Sequence, residues 1–577
     1  MSRKVDCTVL INGNKLEQVA HISVVQRMDW HHTFEVRLPL KDAKLETFKE
    51  QAEKDLGKKA VIRINFAPER PDSHDFSFKG VVTNAAFNRS QGGTPEIALS
   101  GSSVTCLLDD ASINRSFTEK SLDKIVEEVC QDSKSKPVDF ALEVQAAYQA
   151  SLPFTVQYEE SNFHFLGRLA ARYGEWFFFD GEKLHFGKPG SQHEESLMFG
   201  GNLFSFDIGL QMERKAFEIR HYDHVKSESL KANEDSGKKT GLEGDALGKI
   251  PLKESDALLA EQSLVMIGAA PDQADLDQRA MGMKAASATR SVVLRGVSDN
   301  TRLAVGKKVK VQGPKTEMEK GGTLDYGTFI ITSISHSSGN GNYQNQFEAI
   351  PADAAMIPML SGLRQAVCDP QVAKVTDVDD PEKLGRVKVQ FLWQLGTSET
   401  SPWIRVIQPH ANDGFGAYVV PETGEEVMVD FEFNDPEQPF VVGSVYHGKA
   451  KPDPAWATPK NETRAFRTKS GNEIIVIDKA GKESIQVRNK DGKNELVMTL
   501  GGEPTLTVKT DGKLTLEAKT IVMKCQELDI DAKAGAKLKS SGTVEIKSDS
   551  QLKAGAAQVS IDGTAMTEVK GGIVKIN

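Results

Sequence analysis

At 577 residues the chain is long enough for several domains, and with 39% hydrophobic and 26% charged residues it is ordinary globular material. A net charge of -10 argues against a broadly basic nucleic-acid surface. The five cysteines (Cys7, Cys106, Cys130, Cys368 and Cys525) are scattered and form no CxxC spacing, which speaks against a disulfide framework or a zinc site and fits a reducing compartment. The first residues, Met-Ser-Arg-Lys-Val-Asp-Cys, lack the apolar run of a signal peptide, and no stretch of about 18 apolar residues occurs. Synthesis in the cytoplasm without a signal peptide is the expectation, and any export would need another route.

The first third alternates with period two, the signature of strands. Thr8–Ile11, an Asn12-Gly13 turn signal and then Ile22–Val25 predict a hairpin. Strands are expected at Phe34–Leu38, Ala60–Phe66, Phe76–Thr83 and Glu96–Gly101, with a helix at Lys44–Leu56. Ser121–Cys130 has helical spacing, with apolar residues at 122, 125, 126 and 129 behind a Ser121 cap. In Gln157–Phe179, Ser161 is positioned to cap a helix whose inner face is Phe165, Leu169 and Tyr173. Gly174 should stop that helix before a buried strand at Trp176–Phe179. Residues 226–250 read as a polar loop. A helical stretch carrying Ala257, Leu258, Leu264 and Ile267 breaks at Pro271 and resumes through Leu276, Ala280 and Met283. Strands return at Val292–Val297, Val305–Val311 and Tyr326–His336, followed by Tyr343-x-Asn345-x-Phe347.

Asp380 to Gly448 is a run of short alternating strands separated by Gly, Pro, Asn and Asp. Val387, Val389 and Phe391 share one face of a strand, and Val427 and Val429 share one face of another. The size suits a five-stranded barrel of the OB type. The motifs Asp380-Pro-Glu-Lys-Leu-Gly-Arg386, Pro402-Trp403, Pro421-Glu-Thr-Gly424 and Asp435-Pro-Glu-Gln-Pro439 resemble the OB module of VgrG-type spike proteins and of the T-even phage cell-puncturing spike. Tyr158-x-Glu160-Ser161, followed by Phe165-Leu166-x-Arg168-Leu169, resembles the hub half of the same family. The resemblance covers most of residues 1–450.

After Pro452, Pro454 and Pro459 the character changes. From about residue 465, apolar pairs recur every seven or eight residues: Leu514/Leu516, Ile521/Met523, Leu528/Ile530, Val544/Ile546, Val559/Ile561 and Val574/Ile576, with Leu538, Leu552 and Val569 between them. Two or three inward side chains per strand are too few for a core within one chain, so a solenoid or a prism shared by three chains is expected. The family resemblance favours the prism. At about 4.8 Å per stacked strand, three interleaved chains would make a needle of roughly 60 Å.

The residues with chemical potential read as structural. His31-His32, His221-Tyr-Asp-His224 and His447 lack a third ligand nearby, so no metal is expected. Glu159-Glu160 and Glu425-Glu426 read as solvated carboxylates rather than a glycosidase pair, and Gly339-Asn-Gly341 reads as a tight turn rather than a phosphate loop. The terminal His-x-His iron site of some phage spikes has no counterpart in Val569–Asn577. About 20 residues separate the OB module from the tail repeat, too few for the lysozyme domain of the T-even spike.

The fold class expected is therefore mainly β. It comprises a phage-hub-like domain at 1–362 (two barrel-like parts with helices), an OB domain at 363–450, a linker at 451–464 and a trimeric β-helix spike at 465–577. The resemblance implies a homotrimeric, non-enzymatic spike with no cofactor and no catalytic residue. Its implied partners are a hexameric inner tube, baseplate proteins, effector cargo and a PAAR-like tip protein seated on Ile573, Val574, Ile576 and Asn577. A secreted polysaccharide-binding solenoid or enzyme is the alternative, disfavoured because aromatics vanish beyond Phe466.

Overall fold

The computed structural model describes residues 5–65, 75–131, 140–190, 193–214, 216–236, 240–259, 261–268, 270–315, 322–339 and 342–576. The chain divides into two units, Met1–Pro452 and Asp453–Asn577.

In the first unit a 13-stranded sheet curls into two lobes. The first lobe follows the order His21–Arg27, Thr33–Pro39, Glu96–Ser103, Phe76–Asn88, Lys59–Asn65 and Asp6–Ile11. Its inward positions (Val9, Ile11, Val24, Phe34, Val36, Ile62, Phe78 and Leu99) form one core, as strand alternation requires. The second lobe orders Glu194–Met198, Lys308–Pro314, Thr323–Gly339, Asn342–Pro351, Val292–Ser298 and Leu203–Leu210 around Leu294, Val309, Ile331 and Phe347. The Thr323–Gly339 strand joins the lobes: its early part pairs with Lys308–Pro314, and residues 333–339 pair with His21–Arg27.

The Asn12-Gly13 turn forms, but the hairpin it closes is only Leu10–Lys15 and Ile11–Asn14. The long partner of Asp6–Ile11 is Lys59–Asn65 instead. The turn specified a reversal, and the apolar faces selected a partner further along the chain.

Helix α1 (Leu45–Asp55) follows the first lobe's Thr33–Pro39 strand. Helices α2 (Leu122–Gln131) and α3 (Asn162–Tyr173) pack with a ribbon of Ile113–Lys120 and Leu152–Glu160 around Phe117, Ile125, Phe165 and Leu169. Ser161 caps α3 by accepting from the His164 amide, and Gly174 ends it at φ 67°. That left-handed conformation suits glycine, and a Cβ there would lie 2.9 Å from the Gly282 Cα.

Two readings of the next segment are corrected. Residues 226–250 contain the strand Glu228–Asn233, which pairs with Phe217–Asp223 and buries Ala232 in a small core with Ile219 and Leu276. The helical stretch around 257–267 divides: α4 (Lys249–Leu258) ends, and Ser263–Met266 is a strand parallel to Phe217–Arg220 that leaves Leu264 exposed. Helix α5 (Gln273–Ala288) starts behind Asp272, whose side chain accepts from the Asp275 amide. The Gly339–Gly341 turn lies partly outside the described residues.

The OB barrel is a four-stranded sheet ordered Lys388–Phe391, Gln371–Asp377, Glu426–Phe431 and Pro439–Ser444. Bridges from Ile404 to Val387 and from Val406 to Val441 supply the fifth, closing segment. Val387, Val389, Phe391, Val427 and Val429 are all completely buried.

In the second unit, Thr463–Arg467, Glu473–Ile477, Ser484–Arg488, Asn494–Thr499 and Thr505–Thr510 form an antiparallel meander within one chain. Beyond it the backbone is extended and bends at 511–512, 519, 526, 533–534, 541–542, 549–550, 557, 564–565 and 572–573, and every residue from 511 to 576 is exposed.

Candidate functional site

Two places concentrate chemistry or unsatisfied surface: the junction of hub and OB module, and the tail.

The junction is built from both sequence motifs. Helix α3 presents Arg168 and Arg172 one turn apart on one face, and the OB loop after Glu426–Phe431 presents Asp435 and Glu437. Arg172 Nη1 donates to Glu437 Oε2 at 2.5 Å across 265 residues of sequence, and Arg172 Nη2 lies 3.8 Å from Asp435 Oδ2. Arg168 grips Glu160 with Nε and Nη2, donates to the Val156 carbonyl at 2.7 Å and stands 3.7 Å from Glu437 Oε1. The Val156 amide also donates to Glu437 Oε1 at 3.3 Å. Around this centre Gln394 donates to Ser116 Oγ at 2.8 Å, and Gln371 donates to the Tyr158 hydroxyl at 3.0 Å.

Burial alone would raise Glu437, but the Arg172 and Arg168 guanidiniums outweigh it and hold the carboxyl below its usual range. Burial and then the charge of Glu437 push Asp435 the other way, upward. Glu160, expected to be solvated, is a partner in this network, because the turn into α3 aims it at Arg168.

Asp380 organises the OB loop ahead of Lys388–Phe391. It accepts from the amides of Glu382, Leu384 and Arg386 and from the Arg386 guanidinium at 2.7 Å. Burial would raise Asp380, yet the Arg386 side chain and these amides hold it well below the carboxylate range. The motif thus encodes a loop clamp, with Gly385 at φ 74°.

The remaining candidates disperse. His31 bonds Thr105 Oγ1 through Nδ1 and Asp109 Oδ2 through Nε2, each at 2.8 Å. His32 is sealed near Phe78 and Phe179, and burial drives it down to about 3. His221 faces the Ile267 carbonyl, and His447 is an exposed acceptor for the Lys449 amide. Ser161, His164 and Asp109 meet, a grouping the sequence did not suggest. The same nitrogen, His164 Nδ1, lies against both Ser161 Oγ and Asp109 Oδ1; a nucleophile relay needs opposite ring nitrogens. Among the described residues no three His, Cys, Asp or Glu side chains gather as metal ligands would.

The tail meander has one mainly apolar side. Phe466, Ile474, Val487, Leu496 and Val508 lie in register across its five strands, and Val476, Ile485, Met498 and Leu506 form a second row beside Arg464. A groove of about 610 Å³ runs over this face. The opposite face carries Arg467, Glu473, Arg488, Glu495 and Lys509 in alternating sign, with Arg467 and Arg488 both donating to Glu473. Further on, the apolar pairs fall between the bends, so Val544, Ile546 and Ile561 are 50%, 66% and 74% exposed. Ile573, Val574 and Ile576 are exposed at the end; Asn577 lies outside the described residues.

A double-lobed β hub locked to an OB barrel defines the class of phage-type baseplate hubs. The profile of the phage tail baseplate hub family matches residues 31–342, and that of the type VI secretion system/phage-baseplate injector OB domain matches residues 371–446. The first match spans more than half of the chain, which therefore belongs to the phage tail baseplate hub family, and its sequence is of the VgrG type. The type VI secretion system spike protein VgrG4b of Pseudomonas aeruginosa is 29% identical over 379 residues, 58% of this chain and 45% of that protein. The actin cross-linking toxin VgrG1 of Vibrio cholerae is 28% identical over 230 residues, 34% of this chain and 20% of the toxin. The chain thus spans less than half the length of these relatives. A component of the E. coli type VI secretion system, described as structurally similar to T4 bacteriophage tail proteins gp27 and gp5, superposes with a TM-score of 0.50 at 16% identity, covering 76% of this chain and 99% of that one.

Proposed function

We propose that the chain is the structural, non-enzymatic central spike of a contractile injection machine, acting as a homotrimer. The carrying observation is the tail: 66 consecutive residues, 511–576, bend at a seven- to eight-residue period with every apolar pair uncovered. A chain that exposed so many Ile, Val and Leu side chains alone would lose about 1.5–3 kcal/mol of burial for each. Two further copies supply the missing partners. Three meander sheets would turn their apolar rows inward, and the following segments would interleave so that each strand gains neighbours on both edges.

In this reading the two hub lobes per chain give six per trimer, which matches a hexameric inner tube. The OB barrels form a collar, and the needle transmits the thrust of sheath contraction into the target envelope. Baseplate proteins bind the hub, and a PAAR-like tip protein covers Ile573, Val574 and Ile576. Effectors travel as cargo. The protein is made in the cytoplasm and delivered through the machine.

Light scattering tests this reading. Purified full-length protein is expected at three times the 63.1 kDa of one chain, and a version ending at Pro452 at lower mass. A full-length monomer at micromolar concentration would overturn it.

A further inference from the structure

Among the described residues, the junction between hub and OB module contains more buried negative than positive charge. Four carboxylates meet there or on the adjoining α5: Glu160, Asp435, Glu437 and Asp275. They face three guanidiniums, Arg168, Arg172 and Arg279. Arg279 is taken by Asp275, 2.7 Å away. Arg168 is taken by Glu160 and the Val156 carbonyl. Arg172 sits at 2.5 Å from Glu437 but 3.8 Å from Asp435, and Arg168 Nη1 also stands 3.7 Å from Glu437, so the cations gather on Glu437 and Asp435 keeps the longest contact.

Asp435 is also sealed. Its side chain is 6% exposed, and a Cβ on Gly268 would lie 3.2 Å from Asp435 Oδ2, so the Gly268 backbone packs beside it. Its Oδ1 accepts the Glu437 amide of its own loop. The charged groups acting on it are Glu437 from its own loop and Arg168 and Arg172 from α3. Four carboxylates facing three cations in a buried site cannot all ionise cheaply, and a proton on the one farthest from a cation is the smallest way to balance them.

We infer that Asp435 and Glu437 hold one proton between them at neutral pH, resident on Asp435, and that this proton locks the OB module onto the hub. The inference is independent of the spike assignment, since it concerns the joint inside one chain. Its consequence has a definite sign. The folded chain keeps a proton on Asp435 that the unfolded chain gives up above the ordinary value of 3.8. The stability from this site is complete below 3.8 and is lost as pH rises through the higher folded value. Acid tightens the joint and alkali loosens it, the reverse of a paired carboxylate such as Asp380.

Infrared difference spectroscopy on full-length protein labelled with ¹³C-aspartate tests this directly. At pH 7 a protonated-carboxyl carbonyl band is expected; D435N should abolish it, and D275N should leave it in place. Thermal unfolding from pH 5 to 9 should show the wild type falling relative to D435N as pH rises. Absence of the band from the wild type, its loss in D275N with retention in D435N, or parallel melting profiles would each overturn the proposal.

Discussion

The OB barrel and the distal tail are written in the same period-two alphabet and end in opposite states. Val387, Val389 and Phe391 in the barrel are completely buried, whereas Val544 and Ile546 in the tail are 50% and 66% exposed. The difference lies in closure. In the barrel, the bridges at Ile404 and Val406 close the sheet within one chain, so alternate side chains face a sealed interior. In the tail, a bend every seven or eight residues leaves segments too short to fold back on their neighbours. Alternation specifies a face; only closure or a partner specifies what covers it.

The largest effect is expected where covering must come from other copies. Replacing Val544 and Ile546 together by Asp puts six charges into a shared interior and should abolish the trimer, while circular dichroism of the hub and OB sheets stays near wild type. Sedimentation at several concentrations reads this, and a trimer that survives the double change would break the comparison. Next is the covered counterpart. Phe391→Ala removes a ring stacked on Trp393 and Phe431 and should cost about 3–5 kcal/mol. Denaturant titration should show that loss to be independent of protein concentration, because the core belongs to one chain. The smallest is local: Ser161→Ala removes the α3 cap and should cost about 1 kcal/mol, seen as faster amide exchange at His164. Unchanged exchange there would mean that Asp109, which also contacts Ser161, holds the helix start instead.

Much of the fold was legible because it is encoded locally. The α3 helix, its Ser161 cap and the Gly174 stop follow from residue chemistry within about one turn of each end. Hub strands such as Thr33–Pro39 and Val292–Ser298 were legible as well, because their apolar residues alternate, whereas Glu194–Met198 and Leu203–Leu210 were not read as strands. The misreadings fall where local pattern was outvoted. Leu264 and Ile267 continue a helical spacing, yet Ser263–Met266 pairs in parallel with Phe217–Arg220, a contact that no window of adjacent residues contains. The Asn12-Gly13 turn likewise reverses the chain without choosing the partner of Asp6–Ile11.

The sequence by itself determined the mainly β class, the family and the seven- to eight-residue rhythm of the tail, since composition, alternation and turn residues act over short stretches. Only the tertiary structure decided that Glu160, Arg168, Arg172, Asp435 and Glu437 are one network. Their charges are visible in the sequence, but a buried ion pair gains its strength from distance and exclusion of water. Neither quantity exists until two segments 265 residues apart fold against each other.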